Sequence, residues 1–280
     1  MWMLVFPGLV GMLVFAAGLQ ARRDDLLLIW RQPWLLARSF VAMYLLVPLV
    51  AVAMVSVFDL PAHTRAALLL LAISAGAPLL PRRLIGLGSN PAYAFGLLVA
   101  ASLLAVLTVP LSLALLAPWL PVELAISPGR VAMTLGVSFL LPLLAGLLVG
   151  RFLPNLAGRL AEPLFRVGMI ALAVGLAVLL IANRQILVHL GLPTFLAFAG
   201  FSLVALAIGH LLGGPDHRLP LAVACATRHV NLVLVITAGV RGPRAMAMVC
   251  AYLIVSLTTS LLYIRLVRCL QRRVDRPARQ

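Results

Sequence analysis

The stretch CATRHVNLVLV, residues 225–235, lies in the middle of an apolar segment that is long enough to cross a membrane. It places Arg228 at the centre of that segment, with no acidic residue nearby in the sequence to pair with it. A lone charge at the centre of a bilayer costs roughly 2.5–3.5 kcal/mol on insertion scales. We therefore expect Arg228 either to have a function at this place or to have a structural partner elsewhere in the chain.

The composition assigns the chain to the membrane proteins. Hydrophobic residues make up 64% and charged residues 10%, and the mean hydropathy is +1.14. Soluble domains are usually about 45–50% apolar and about 25% charged. No polar stretch is long enough for a separate soluble domain, so we expect an all-α polytopic membrane protein with one transmembrane domain over residues 1–280.

The net charge of +15 does not indicate nucleic-acid binding. All 22 basic residues are arginines, spread over loops and helix ends, and no basic face carries interleaved aromatic residues.

The three cysteines, Cys225, Cys250 and Cys269, form no CxxC pair and match no zinc spacing. We therefore expect them to be small apolar core residues, and we expect no metal site.

About nine segments are long and apolar enough to span, since a spanning helix needs about 20 such residues. They cover residues 3–20, 35–57, 64–88, 92–117, 130–150, 165–182, 194–213, 217–240 and 244–267. No Asp or Glu is expected within a span; Glu162, for example, falls before the sixth. The N-terminus lacks a positive region before its apolar run, which favours a retained first helix over a signal peptide.

Arginines predict the orientation, because loops rich in arginine stay on the cytoplasmic side. One set of alternate loops, with the C-terminal residues, carries most of them: Arg22, Arg23, Arg31, Arg38, Arg151, Arg159, Arg166, Arg218, Arg268, Arg272, Arg273, Arg276 and Arg279. This asymmetry predicts an external N-terminus and a basic cytoplasmic tail over residues 268–280. The tail either serves the orientation alone or also contacts anionic lipid.

Segments three and eight are irregular. In segment three, Pro78 and Pro81 each remove a backbone donor, which makes a continuous helix unfavourable. Segment eight is the opening stretch. The two occupy matching places in two four-helix sets, segments one to four and six to nine, which run in opposite directions because segment five intervenes. Interrupted helices at equivalent places of an inverted repeat indicate a transport site.

Three stretches in this order resemble the bile acid:sodium symporter family. They are GLQARRDDLLLIWRQPWLLARSFVAMYLLVPLVA at 18–51, VSFLLPLLAGLLVGRFLP at 137–154 and ATRHVNLVLVITAG at 226–239. The resemblance implies an inverted-repeat transporter fold with two broken crossover helices. It also implies a first repeat over 1–118 that lacks the family's first helix, and a second repeat over 119–267.

The chain departs from the family's sodium ligands. The family's second crossover carries Glu and Gln just before an asparagine that matches Asn231, whereas this chain has Ala226 and Val230. The Ser-Asn pair of the first crossover would fall near Leu80 and Pro81. Sodium coupling is therefore doubtful, and no cofactor is expected.

The candidate substrate-binding residues each have a structural alternative. Arg228 lines a cavity for an anion, or hydrogen-bonds carbonyls freed where helices break, and the two roles are compatible. His229 handles protons or is a hydrogen-bonded core residue. Asn231 and Thr227 offer polar groups at the same place. Arg82 and Arg83 line the site or extend to the cytoplasmic edge. Ser74 and Ser102 line it or are small packing residues.

These observations predict a secondary transporter of a small organic anion, working by alternating access in a bacterial cytoplasmic (inner) membrane. A membrane sensor or scaffold with the same fold, and a sodium-coupled symporter using other ligands, remain alternatives. No enzyme motif such as HExxH or GxSxG is present.

Overall fold

The computed structural model of the chain describes residues 2–21, 32–75, 80–119, 127–229, 233 and 243–275. Within them the protein is built of helices. In chain order these are α1 (Trp2–Gln20), α2 (Pro33–Val57), α3 (Ala62–Ile73), α4 (Leu80–Gly86), α5 (Pro91–Leu116), α6 (Gly129–Phe152), α7 (Pro154–Ala182), α8 (Arg184–Val188), α9 (Leu192–Leu212), α10 (Gly214–Ala226) and α11 (Pro243–Asp275).

Six helices of the described part are long and apolar enough to cross a membrane: α2, α5, α6, α7, α9 and the part of α11 over Met246–Cys269. Of two shorter apolar helices, Gly8–Gln20 lies within expected segment one, and Ala62–Ile73 overlaps only the first part of expected segment three. A polytopic, helical membrane protein is thus confirmed. The count of nine spans and the inverted repeat stay predictions.

Two helix boundaries and the exposure of one cysteine differ from the sequence expectation. Helix α7 begins at Pro154, well before residue 165, so Glu162 lies inside a helix and not in a loop. Helix α11 continues to Asp275, so the first part of the expected tail is helical. Cys225 and Cys250 are buried as expected, but Cys269 is exposed.

Two helix groups divide the apolar core. Helix α1 packs between α7 and the second part of α6, and we call these three helices the flanking group. The larger core cluster joins α2, α3, α4, α5, α9, α10 and α11, which we call the crossing group, and it also includes the first part of α6. The two groups meet where the first part of α6 packs on α5, where α1 and α5 share a smaller apolar cluster, and where α7 packs on α11.

Close contact of α1 with α6 depends on two glycines. A Cβ atom added at Gly18 would lie 2.6 Å from the carbonyl oxygen of Leu143, and one at Gly146 would collide with the carbonyl oxygen of Phe15. Small residues at such positions allow the backbones of membrane helices to approach closely.

Candidate functional site

Both irregular segments are interrupted, and the interruptions meet. Helix α3 ends at Ile73 and α10 ends at Ala226. Beyond these ends, Ala75 and Arg228 pair as an isolated antiparallel bridge. The backbone N–H of His229 donates to the carbonyl oxygen of Ser74 at 2.7 Å. The two breaks therefore pair through their backbones at one point, which we call the crossing.

Arg228 is the centre of this crossing, and its side chain is only 3% exposed. Its guanidinium donates to the carbonyl oxygens of Ala72 at 3.2 Å and Met43 at 3.4 Å, and also to that of Cys225. These three acceptors come from α3, α2 and α10. Arg228 therefore ties three helices of the crossing group together through backbone carbonyls.

The three carbonyls are available for physical reasons that can be read from the backbone. Ala72 and Cys225 lie in the last turns of α3 and α10, where no following N–H completes the helical ladder. Met43 lies in a π-helical turn, Val41–Leu46, in which Val47 N–H donates five residues back to Ala42. The next residue, Pro48, has no N–H to donate to Met43.

The arrangement answers why Arg228 needs no acidic partner. Each helix C-terminus carries a partial charge of roughly −0.5. The guanidinium lies at two such termini, those of α3 and α10, and their summed charge of about −1 balances its own. Freed carbonyls and helix dipoles thus compensate the charge of Arg228 in place of a carboxylate. This arrangement corresponds to the structural alternative considered for Arg228.

Two residues that the sequence did not single out complete the end of α10. The hydroxyl groups of Tyr252 and Ser256 donate to the carbonyl oxygen of Ala226 at 2.7 and 3.0 Å. The guanidinium carbon of Arg228 lies 5.9 Å from the centre of the Phe201 ring. No local signal in α11 marks Tyr252 and Ser256, because their partners belong to another helix.

The remaining residues of the break have defined partners. Thr227 donates its hydroxyl to the carbonyl oxygen of Val223 at 2.7 Å and accepts from Arg83 at 3.0 Å. His229 is buried and its ring packs edge-on against Phe139 at 4.7 Å. Arg83 thus joins α4 to the break in segment eight. We call Arg83, Thr227 and Arg228 the polar cluster of the crossing.

Both candidate serines bond to their own helices. Ser74 donates its hydroxyl to the carbonyl oxygen of Leu71 at 2.8 Å and lies in the crossing. Ser102 donates to the carbonyl oxygen of Leu98 within α5 at 2.6 Å.

Pro81 lies in the first turn of α4, where its missing N–H costs no hydrogen bond. Asn231 and Pro78 lie outside the described residues.

Arg82 points to a different place from Arg83. It forms an ion pair with Glu162 on α7, and its guanidinium stacks on the ring of Phe165 at 3.7 Å. Arg82 and Glu162 line a cavity of about 900 Å³ between α1, α6 and α7. The lining of this cavity does not include Arg228. The cavity expected around Arg228 stays a prediction.

The rest of the cavity wall is mostly apolar. It is formed by one stripe of α6, with Leu144, Leu147, Leu148 and Arg151, by Ala157, Gly158 and Ala161 of α7, and by the end of α1. Among the described residues, no group of three or more His, Cys, Asp or Glu side chains is placed to hold a metal ion.

A family model and two named transporters are similar to this chain. Residues 7–190 match the model of the Sodium Bile acid symporter family. The chain is 29% identical over 207 residues to the "Uncharacterized sodium-dependent transporter YocS" of Bacillus subtilis, covering 73% of this chain and 61% of that protein. It is 30% identical over 223 residues to the "Probable sodium/metabolite cotransporter BASS6, chloroplastic" of Arabidopsis thaliana, covering 76% and 53%. The chain thus spans less than two thirds of the length of either relative.

Proposed function

Because the chain belongs to the Sodium Bile acid symporter family, we propose that it is a secondary transporter that moves a small organic anion by alternating access. Its place is a bacterial cytoplasmic membrane, with the N-terminus outside. The observation that carries the proposal is the crossing of two interrupted helices around Arg228. Such crossings place backbone and side-chain polar groups inside a membrane domain, where transporters bind their cargo.

The sign of the charge at the crossing supports an anion. Arg83 and Arg228 are both in the polar cluster, and the ion pairs of the described residues involve neither of them. A guanidinium presents a planar set of donors that suits carboxylate or phosphate. The two helix ends compensate Arg228, so the guanidinium of Arg83, which donates to a hydroxyl and not to a carboxylate, is the charge at the crossing that favours an anion over a cation as cargo.

The same geometry supports transport without the family's usual sodium sites. A cation at the crossing would be bound through carbonyls at the ends of α3 and α10, and Arg228 already donates to those carbonyls. A fixed guanidinium therefore takes the electrostatic role that a bound cation would otherwise have. A sodium-coupled symporter with other ligands is the second candidate, because both relatives carry sodium in their names.

Uptake into proteoliposomes tests the proposal. The purified protein is reconstituted, and uptake of a panel of small carboxylates and a bile acid is measured in sodium and in choline medium. We expect uptake of at least one anion at equal rates in both media. Strict sodium dependence would support the second candidate, and binding in detergent without any flux would indicate a sensor instead.

A further inference from the structure

Glu162 is held by two arginines at once. Its Oε2 atom forms the ion pair with Arg82, and its Oε1 atom accepts from Nε of Arg166 at 2.9 Å. The three side chains are partly open to solvent, with exposed fractions of 33% for Arg82, 45% for Glu162 and 74% for Arg166. The carboxylate is therefore bound in a site that solutes can reach.

The two ion pairs differ in what they connect. Arg166 is four residues after Glu162 on α7, so that pair lies within one helix. Arg82 is on α4, in the crossing group, whereas Glu162 is on α7, in the flanking group. The Arg82–Glu162 pair therefore bridges the two groups, and it does so in the wall of the 900 Å³ cavity.

Arg82 and Arg228 also differ in what is available to a ligand. The guanidinium of Arg228 is buried and donates to three carbonyls. Arg82 stacks on Phe165, lies at a cavity and donates to the carboxylate of Glu162. Arg82 lies beside the cavity and already binds the carboxylate of Glu162. It is therefore an oxyanion site whose occupant is a side chain of the same protein.

We propose that Glu162 is a tethered competitor that occupies the oxyanion site of Arg82, so that a carboxylate entering the cavity binds there only by displacing it. Ion pairs between partly exposed side chains are weak, so the exchange needs little energy. Arg166 stays bound to the released Glu162 and keeps its charge compensated. The proposal rests on the proposed function only in treating the entering carboxylate as cargo.

A thiol placed in the cavity measures the competition without any transport. Gly158 lines the cavity one turn before Glu162, and a Cβ atom added there would meet nothing within 4 Å. Gly158→Cys is made in a Cys269→Ser background, which leaves the buried Cys225 and Cys250. The rates of its modification by an anionic and a cationic methanethiosulfonate reagent are compared, with benzoate as the competing carboxylate.

The variants separate competition from a change of charge. Glu162→Gln should raise the anionic-to-cationic rate ratio and lower, several-fold, the benzoate concentration that protects the thiol. Arg166→Gln removes the other ion pair of Glu162 and should give no such gain, because Glu162 still occupies Arg82. In an Arg82→Gln background, Glu162→Gln should no longer improve protection by benzoate.

Two results would overturn the proposal. One is equal protection by benzoate in Glu162→Gln and in the parent protein. The other is the same gain with and without Arg82, which would mean that only a negative charge had been removed. If Arg82→Gln does not fold, Arg82→Met, which keeps the apolar stem on Phe165 without the charge, takes its place as the background. Because the readout is thiol chemistry, its outcome is independent of whether uptake is found.

Discussion

The backbone N–H of His229 donates to the carbonyl oxygen of Ser74 at 2.7 Å, across the point where two interrupted helices cross. This bond satisfies a donor that follows the end of α10 and an acceptor that follows the end of α3. Unpaired backbone groups are costly in a membrane domain. The partners that each break supplies for the other therefore help to stabilise the crossing.

The first prediction concerns Arg228. Arg228→Met leaves three buried carbonyl acceptors without their donor, and we expect a loss of stability of about 3 kcal/mol or more. Arg228→Lys keeps the charge but not the planar set of donors, so its loss should be smaller. Thermal unfolding in detergent measures both. Arg130→Met, at an exposed position, is the control and should change the midpoint little.

The second prediction tests why Met43 accepts a hydrogen bond from Arg228. Pro48→Ala restores a backbone N–H that can donate within α2, so Met43 would no longer depend on Arg228. We expect Arg228→Met to destabilise the Pro48→Ala protein by less than it destabilises the parent protein. A double-mutant cycle of unfolding midpoints gives the coupling. Fully additive effects would contradict this origin of the free carbonyl.

The third prediction concerns the two hydroxyl groups on the carbonyl oxygen of Ala226. Tyr252→Phe or Ser256→Ala alone leaves one donor in place, so each should cost about 1 kcal/mol or less. The double variant should cost more than the sum, because the acceptor then has neither donor. Unfolding midpoints of the four proteins measure the difference. A double variant no worse than the sum would show that the acceptor finds another donor.

The fourth prediction concerns the contact of α1 with α6. Gly18→Ala brings a Cβ atom to 2.6 Å from the Leu143 carbonyl oxygen, so the helices must separate and the protein should lose roughly 1–3 kcal/mol. Gly8→Ala on the same helix is the matched control, because its Cβ atom would meet nothing within 4 Å. Equal unfolding midpoints for the two variants would contradict the close packing of the flanking group.

The fifth prediction is the topology. The arginine asymmetry predicts an external N-terminus and a cytoplasmic C-terminus. Reporter fusions at both ends, with a third in the loop before Leu192, measure the side of each. The third should report the same side as the N-terminus. Reporters that place both ends on one side would rule out an odd number of spans.

Local sequence patterns determined the class of this protein and the positions of its breaks. The apolar runs are long enough to make membrane helices unavoidable, and the polar run around Arg228 marked the interruption. The same residues favoured a structural or an anion-binding role without deciding between them. A pattern can show that a charge must be compensated, but it does not show which group compensates it.

The tertiary structure decided the partners. Arg228 bonds to Met43, which is 185 residues away in the chain, and Arg82 pairs with Glu162, which is 80 residues away. Arg82 and Arg83 are adjacent in the sequence but have different partners. Arg82 pairs with the Glu162 carboxylate of the flanking group, and Arg83 donates to the Thr227 hydroxyl in the crossing. Hydropathy and helix breaks depend on neighbours in the sequence, so the sequence alone determines them. Hydrogen bonds between distant segments depend on how the helices pack, and only the folded chain brings those atoms together.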